Sequence, residues 1–545
     1  MRIFCVFILC LSLSSSAVLA EFENLQVNAS QSSEILIAKK NVRKSSRKLP
    51  PKRRRTRRVS RPSELSQALA LAKAGKYEEA SQKLFKLSVS PRYKNQRNQI
   101  KYILGLMLYQ MKFNQLSAFQ FITVIKNSDK KYLRQSLEKL SLAADALGDD
   151  TLLNYAISRV DVRRFPKANR DILYYRIGEY QLRAKDYSRA ASSFKQVGRA
   201  SHKFTNAKYL EALAYAEQNQ VKQAIDAFND LYDSRANQEV TDPARVSAQV
   251  GLARAYYQGK QWDRSIEIYR EVPRDTEIWH DTLFESSWAM LRSGRFRSAL
   301  SNFQTLHSEF YEDFYLPESL LLRAIVYLYI CKYDEMEKVL NLFNKIYLPV
   351  YKGSKQYLTN VKSATKYYDD VTSMMAEFFA KGDQLDKSKF ELPFIVGRKL
   401  YKEGDVQRGR LYIQKVEAEL QRLQQMPSDW RNSSIGKYGE RVLTTRLDKA
   451  KKQLGRKLRR HLVDVRNDLF DLFEQEGFIR FEMINGKKEI LKKRVAGKNL
   501  PKMALDEATE RDYFVQNGYQ YWPFQGEFWL DELGNYHYLG TQSCE

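Results

Sequence analysis

Histidine and cysteine are scarce, at five and four among 545 residues. The histidines, at positions 202, 280, 307, 461 and 537, have no second ligand at metal spacing, which argues against a zinc centre. Cys5 and Cys10 fall in an N-terminal apolar stretch, leaving Cys331 and Cys544. Those two could pair in an oxidising compartment, but their separation in sequence says nothing about proximity, and the fold does not rely on bridges. No phosphate loop, dinucleotide fingerprint or nucleophile elbow appears. The carboxylate pairs Asp149-Asp150 and Asp369-Asp370 read as solvated charge. These absences make an enzyme the weakest class and leave no cofactor, metal or small-molecule ligand to expect. Beyond the first twenty residues no apolar run is long enough for a bilayer, which takes about 20 residues.

What is present begins with Met1-Arg2, the apolar run Ile3 to Leu11, a Ser-rich stretch and Ala17-Val18-Leu19-Ala20. That order reads as a secretory signal cut near Ala20, with an uncut anchor as the alternative. The expectation is a periplasmic protein, free or associated with an inner or outer membrane. Residues 39–61 then carry thirteen Lys or Arg and no acid, nearly half of the net charge of +27. Self-repulsion and Pro50-Pro51 keep such a block extended. Behind a signal peptide it argues against nucleic acid. Lys52, Arg53, Arg54, Arg55, Arg57 and Arg58 instead suit an anionic lipid or polymer, or form a solvated linker with no dedicated partner.

A short phrase recurs down the first two-thirds of the chain: Gly75-Lys76-Tyr77-Glu78-Glu79-Ala80, Lys185-Asp186-Tyr187-Ser188-Arg189-Ala190, Lys260-Gln261-Trp262-Asp263-Arg264-Ser265 and Gly294-Arg295-Phe296-Arg297-Ser298-Ala299. Taking its last residue as a mark gives Ala80, Leu116, Leu153, Ala190, Ala224, Ser265, Ala299 and Met336, spaced by 34 to 41 residues. The spacing and the phrase resemble tetratricopeptide repeats, about eight helix pairs from Pro62 to Leu348. In the best unit Tyr174, Ile177, Gly178, Tyr187, Ala190, Phe194 and Val197 fill the large and small slots in order. The second and third units fit poorly, and their phase could be off by one. The slot aromatics read as core. Projecting the helix period places Arg176, Arg183, Arg254, Tyr257, Phe284, Trp288 and Arg292 in a partner-binding groove, where Trp, Tyr and Arg dominate binding energy.

After Pro349 longer helices are expected, over about 355–380, 393–425 and from 434 onward. The last carries an eleven-residue stripe of Leu447, Leu458 and Leu469 with Leu454 and Val465, completed by Leu443, Ala450 and Leu462, fit to lie along the repeats or to pair with another chain. Asn485-Gly486 leaves residues 478–491 readable as helix or hairpin, helix being favoured.

From Tyr513 to Tyr538 there are ten aromatics in twenty-six residues. They read as a turn-rich cap on the solenoid, or as a patch displaying Trp522 and Trp529. The string Tyr521-Trp522-Pro523-Phe524-Gln525-Gly526-Glu527-Phe528-Trp529-Leu530-Asp531-Glu532-Leu533-Gly534-Asn535-Tyr536 resembles the closing motif of tetratricopeptide proteins in the envelopes of gliding and predatory deltaproteobacteria, including adventurous gliding-motility components. The resemblance implies a subunit of an envelope complex and assigns no functional residue. The chain is therefore expected to be all-α: a signal at 1–20, a basic linker at 21–61, a tetratricopeptide-like α-solenoid at 62–348, long helices at 349–510 and an aromatic element at 511–545. Its expected role is a scaffold for envelope proteins or peptides, or else a tether acting through the basic arm.

Overall fold

Each repeat phrase lies at a reversal between two antiparallel helices. The computed structural model describes residues 63–127, 131–148, 154, 170–495, 527–536 and 538; among them there are helices and turns and no strand. The helices are α1 (Glu64–Lys73), α2 (Tyr77–Val89), α3 (Arg97–Gln110), α4 (Asn114–Lys126), α5 (Leu133–Leu147), α6 (Arg170–Arg183), α7 (Tyr187–Phe194), α8 (Phe204–Glu217), α9 (Val221–Ser234), α10 (Pro243–Gln258), α11 (Trp262–Arg270), α12 (Trp279–Ser293), α13 (Phe296–Leu306), α14 (Pro317–Tyr329) and α15 (Tyr333–Asn360). After them come α16 (Ala364–Lys381), α17 (Phe394–Lys402), α18 (Gly404–Gln424), α19 (Ser428–Arg431) and α20 (Ser434–Val495). The architecture is an all-α solenoid in which helices pack chiefly on their sequence neighbours.

The reversals share one chemistry. Gly75, Lys112, Lys185, Asn219, Lys260, Gly294 and Cys331 are left-handed, with φ between 56° and 79°. In each case the following residue donates its N–H to the carbonyl five positions back, from Lys76 to Leu71 through Lys332 to Tyr327. That bond is the Schellman signature, which satisfies a carbonyl the helix end would otherwise leave bare. Five residues beyond the left-handed corner comes the small slot of the second helix. Ala80, Ala190, Ala224, Ser265, Ala299 and Met336 are all fully buried there. The corner at Lys112 puts Ser117, rather than Leu116, in that slot, so the second unit is out of phase by one with the mark read from the sequence. Leu153 lies outside the described residues.

Aromatic rings fill the space that small residues leave. An ideal Cβ on Gly178 would sit 2.6 Å from the Phe194 ring, and one on Gly251 would sit 2.3 Å from Phe228. Both rings are buried and have little room to move away.

The described residues form two compact units. One comprises 63–143 with 419–443. In it the Trp430 ring stacks on Phe113 with centroids 5.6 Å apart, and its indole N–H donates to Ser81 Oγ at 2.9 Å. Glu419 Oε1 accepts the Gln115 backbone N–H at 2.8 Å, capping α4 from a distance of 304 residues in sequence. Burial pushes the Glu419 carboxyl up to about 8, against the pull of the helix N–H groups.

The other unit comprises 144–418 with the described part of 444–538. Here α15 runs straight through Pro349, whereas the sequence reading ended the repeats there and opened a new helix near Lys355. Phe343, Tyr347 and Tyr357, buried on both sides of the proline, hold the helix together despite the missing hydrogen bond. The helix expected over 393–425 is broken at Glu403, whose ψ of 129° is extended. Helix α20 continues through Asn485-Gly486 because the Tyr333 ring packs against the glycine, where a Cβ would meet its hydroxyl at 2.3 Å. The stripe Ala450, Leu454, Leu458, Leu462, Val465 and Leu469 is buried against this chain's own helices, with Leu447 half-buried beside it.

Gly178→Ala and Gly251→Ala test the packing. Alanine gains about 1 kcal/mol of helix propensity, but overpacking a core costs about 1–3 kcal/mol, and the contacts below 3 Å decide the sign. Each variant should melt at a lower temperature than the parent; a raised midpoint would show that the rings can yield.

Candidate partner-binding face

The first helices of the pairs, α6, α10 and α12, carry the residues that helix periodicity assigned to a groove. The structure divides them. Arg176 is buried, at 2% exposure, with Nη1 donating to Glu179 Oε2 at 2.8 Å and Nη2 3.6 Å from Asp145. Asp145 also meets His202 at 3.1 Å and Lys203 at 3.0 Å. Burial alone would raise the Asp145 carboxyl, but the His202 hydrogen bond and the Lys203 and Arg176 charges hold it well below the usual range. Arg176 is therefore a structural ion-pair partner rather than a groove residue.

Arg254 is likewise committed. Its Nε and Nη2 donate to the two Glu285 oxygens at 2.7 and 2.6 Å, joining α10 to α12. The Tyr269 hydroxyl donates to Glu285 Oε2 at 2.8 Å. Although burial would lower the guanidinium, the Glu285 charge raises it well above its ordinary value. A bidentate, largely desolvated pair of this kind orders the repeat and leaves no fork for a ligand. Tyr257 stands edge-on to Trp262 with centroids 4.9 Å apart. Phe284 and Trp288 are half-buried against the core.

Arg183 and Arg292 remain exposed. Tyr180, which the sequence reading passed over, joins Arg183 on α6 at 60% exposure. Its position four residues after Arg176 and three before Arg183 was the available signal, since those spacings share a helix face. The end of α20 also presents Phe478, Phe481 and Ile484 to solvent.

Helices α17 and α18 explain part of this division. The Arg398 guanidinium covers the Phe314 ring at 4.1 Å, Lys399 lies over Tyr315 at 5.5 Å, and Lys402 reaches Glu277 at 3.7 Å. Arg408 adds its charge to those of Arg176 and Arg183 in lowering the Glu179 carboxyl, which burial alone would raise. In the same first turn of α18 as Arg408, Asp405 Oδ1 lies 2.9 Å from His461 Nε2 of α20. Burial would raise Asp405, yet the His461 hydrogen bond and the Lys457 charge bring it to about 2. The Asp405 hydrogen bond in turn raises His461.

The described residues of the aromatic element pack on the repeats. Leu533 is buried, the Gly534 N–H donates to Thr305 Oγ1 at 2.8 Å, and Arg274 Nη2 donates to Asn535 Oδ1 at 2.6 Å. The described part thus forms turns against α12 and α13, with Trp529 left 60% exposed. Trp522 lies outside the described residues, as do Lys52, Arg53, Arg54, Arg55, Arg57 and Arg58. Among the described residues no helix is long and apolar enough to cross a membrane, and no group of acidic, His or Cys side chains is arranged to hold a metal.

Residues 175–239 and 209–277 match the tetratricopeptide repeat family, which makes the pairs from α6 to α11 tetratricopeptide repeats. No curated protein matches the chain. Among solved structures, it aligns with the crystal structure of a Rap protein complexed with competence and sporulation factor, at 13% identity and a TM-score of 0.29, over 72% of this chain and 98% of that one.

Breaking the Arg254–Glu285 pair should expose its structural role. Glu285→Ala strands a half-buried guanidinium and should cost about 1–3 kcal/mol, while adding Arg254→Ala should recover part of the loss. Denaturant unfolding measures both; a single variant within about 0.5 kcal/mol of the parent would return Arg254 to the ligand-binding candidates. For the His461–Asp405 pair the pH window follows from the two shifts. A raised histidine contributes most below its free value of about 6.5 and loses that contribution as pH rises through its folded value. A lowered aspartate contributes above about 4 and loses it as pH falls toward 2. An NMR titration should place His461 above 6.5, and a midpoint at or below it would dissolve the pair.

Proposed function

We propose that this protein is a non-enzymatic scaffold whose tetratricopeptide repeats hold protein or peptide partners within a bacterial cell-envelope complex. The observation that carries this is the repeat match over residues 175–277, since stacked helix pairs create extended surfaces for binding rather than an enclosed pocket for chemistry. Exposed Tyr180 and Arg183 on α6 and Arg292 on α12 supply the aromatic and cationic side chains that anchor such contacts, and their charge favours acidic segments. Export and the envelope setting rest on the signal-like residues 1–20 and on the closing string 521–536, whose resemblance to gliding-motility components extends the proposal to that kind of machinery.

The thirteen basic residues of 39–61 support a second reading, an envelope tether on anionic lipid or polymer with the repeats as a spacer. The two readings separate experimentally. Joint replacement Tyr180→Ala, Arg183→Glu and Arg292→Glu should abolish in-cell crosslinks to envelope proteins, each hot spot lost being worth about 2 kcal/mol, with the helical circular dichroism unchanged. Crosslinks that survive in full would remove this face from consideration. Deleting 39–61 should leave them intact; release from the membrane fraction on that deletion would favour the tether.

A further inference from the structure

From Phe470 to Val495 helix α20 has an inner and an outer face. On the inner face Met483 is buried, Gly486 packs on the Tyr333 ring, and Lys487 reaches Glu337 at 2.8 Å and Asp334 at 3.0 Å, all on α15. At about 100° per residue, Phe470, Phe481, Ile484, Leu491 and Val495 fall together on the outer face, with Phe478 at its edge. These six are 49% to 89% exposed. Gly477 lies in the same stripe, and a Cβ there would meet nothing within 4 Å. Glycine weakens a helix, yet no described residue fills the space it leaves. Two charges interrupt the stripe. Glu474 and Lys488 are exposed, and neither has an ion-pair partner among the described residues. Glu474 stands seven residues before Phe481 and Lys488 seven after it; Phe478 stands three before and Ile484 three after. The stripe is therefore complementary to its own reverse.

We propose that this face seats a second copy of the same chain, α20 against α20, antiparallel about a two-fold axis at Phe481. In that arrangement every off-axis contact occurs twice. Glu474 of each copy meets Lys488 of the other, Phe478 meets Ile484, and Gly477 lets the backbones approach beside Asn485. The apolar side chains leave water along a seam about 38 Å long. Charge decides between occupants. A partner of one charge sign would meet its own sign at either Glu474 or Lys488. An anionic bilayer would be repelled by Asp471, Glu482 and Glu489, which are exposed on the flank of the stripe. Only a surface with the two signs in reverse order satisfies both ends, and this helix supplies one. The dimer goes beyond the scaffold reading, since it would offer each partner two sets of repeats.

The test is sedimentation velocity of the purified full chain over a concentration series. A seam at the small end of stable interfaces should give a monomer–dimer equilibrium in the micromolar range. Glu474→Lys and Lys488→Glu should each weaken the dimer about tenfold, because each turns two attractions into two repulsions. The double variant should return to within about threefold of the parent. Within one copy the two side chains stand about 21 Å apart along the helix, so that recovery requires a second copy. Phe481→Glu should weaken association about a hundredfold, with the helical circular dichroism unchanged. A chain that stays monomeric up to about 100 μM, a dimer indifferent to Phe481→Glu, or single reversals with no recovery in the double variant would each overturn the proposal. For a monomeric chain, pelleting with vesicles of anionic phospholipid that Phe481→Glu abolishes would give the face to a membrane instead. Dimerisation only after deletion of 496–526 would give it to the chain's own segment. The measurement needs no envelope partner, so a missing dimer leaves the scaffold standing, and lost envelope crosslinks leave the dimer.

Discussion

The left-handed corner between paired helices is the constraint from which the solenoid grows. Seven described corners use the same hydrogen bond, at 2.8 to 3.0 Å, from the residue after the corner to the carbonyl five positions back. That bond fixes where the second helix starts, and so fixes which of its residues meets the first helix. Only a residue that packs closely fits there, and the resulting approach leaves gaps that Phe194 and Phe228 fill against Gly178 and Gly251. A conformation costing a non-glycine residue about 1 kcal/mol recurs at Lys112, Lys185, Asn219, Lys260 and Cys331 because the packing that depends on it returns more.

The chain also consumes much of its own binding chemistry. Arg176 and Arg254 are the residue type that recognises carboxylates best, and both have already found them within the fold, as Glu179 with Asp145 and as Glu285. Buried pairs of this sort contribute little net stability against an apolar alternative, but separating them is expensive, so they act as registration points between helices. The stripe of α20 is spent in the same way, on helices of the same chain. Exposed to solvent are Tyr180, Arg183 and Arg292 along the pairs, and the outward side of the end of α20. The turns at residues 527–536 then lie on α12 and α13 and form part of the seventh pair's surface.

Several readings failed or held for identifiable reasons. Small and aromatic slots were legible because they repeat, and repetition averages out the ambiguity of any one position. The one-residue slip at Leu116 arose where the slot holds Ser117, a polar residue that no hydropathy pattern singles out. Pro349 looked like a stop because a proline removes one backbone bond, yet three buried aromatics on α15 outweigh that loss. Trp430 and Glu419 could not be recognised as anchors, since their partners Ser81, Phe113 and Gln115 lie more than three hundred residues away and nothing local announces them.

By itself the sequence determined the helical period, the corners and the small slots, hence an all-α solenoid of paired helices, because these depend on interactions within some forty residues. Tertiary structure alone decided which polar side chains are left for a partner. Helix periodicity gives the direction in which Arg176 and Arg254 point, but Asp145 and Glu285, which meet them beside the same-helix Glu179, come from neighbouring helices, and only packing sets those distances.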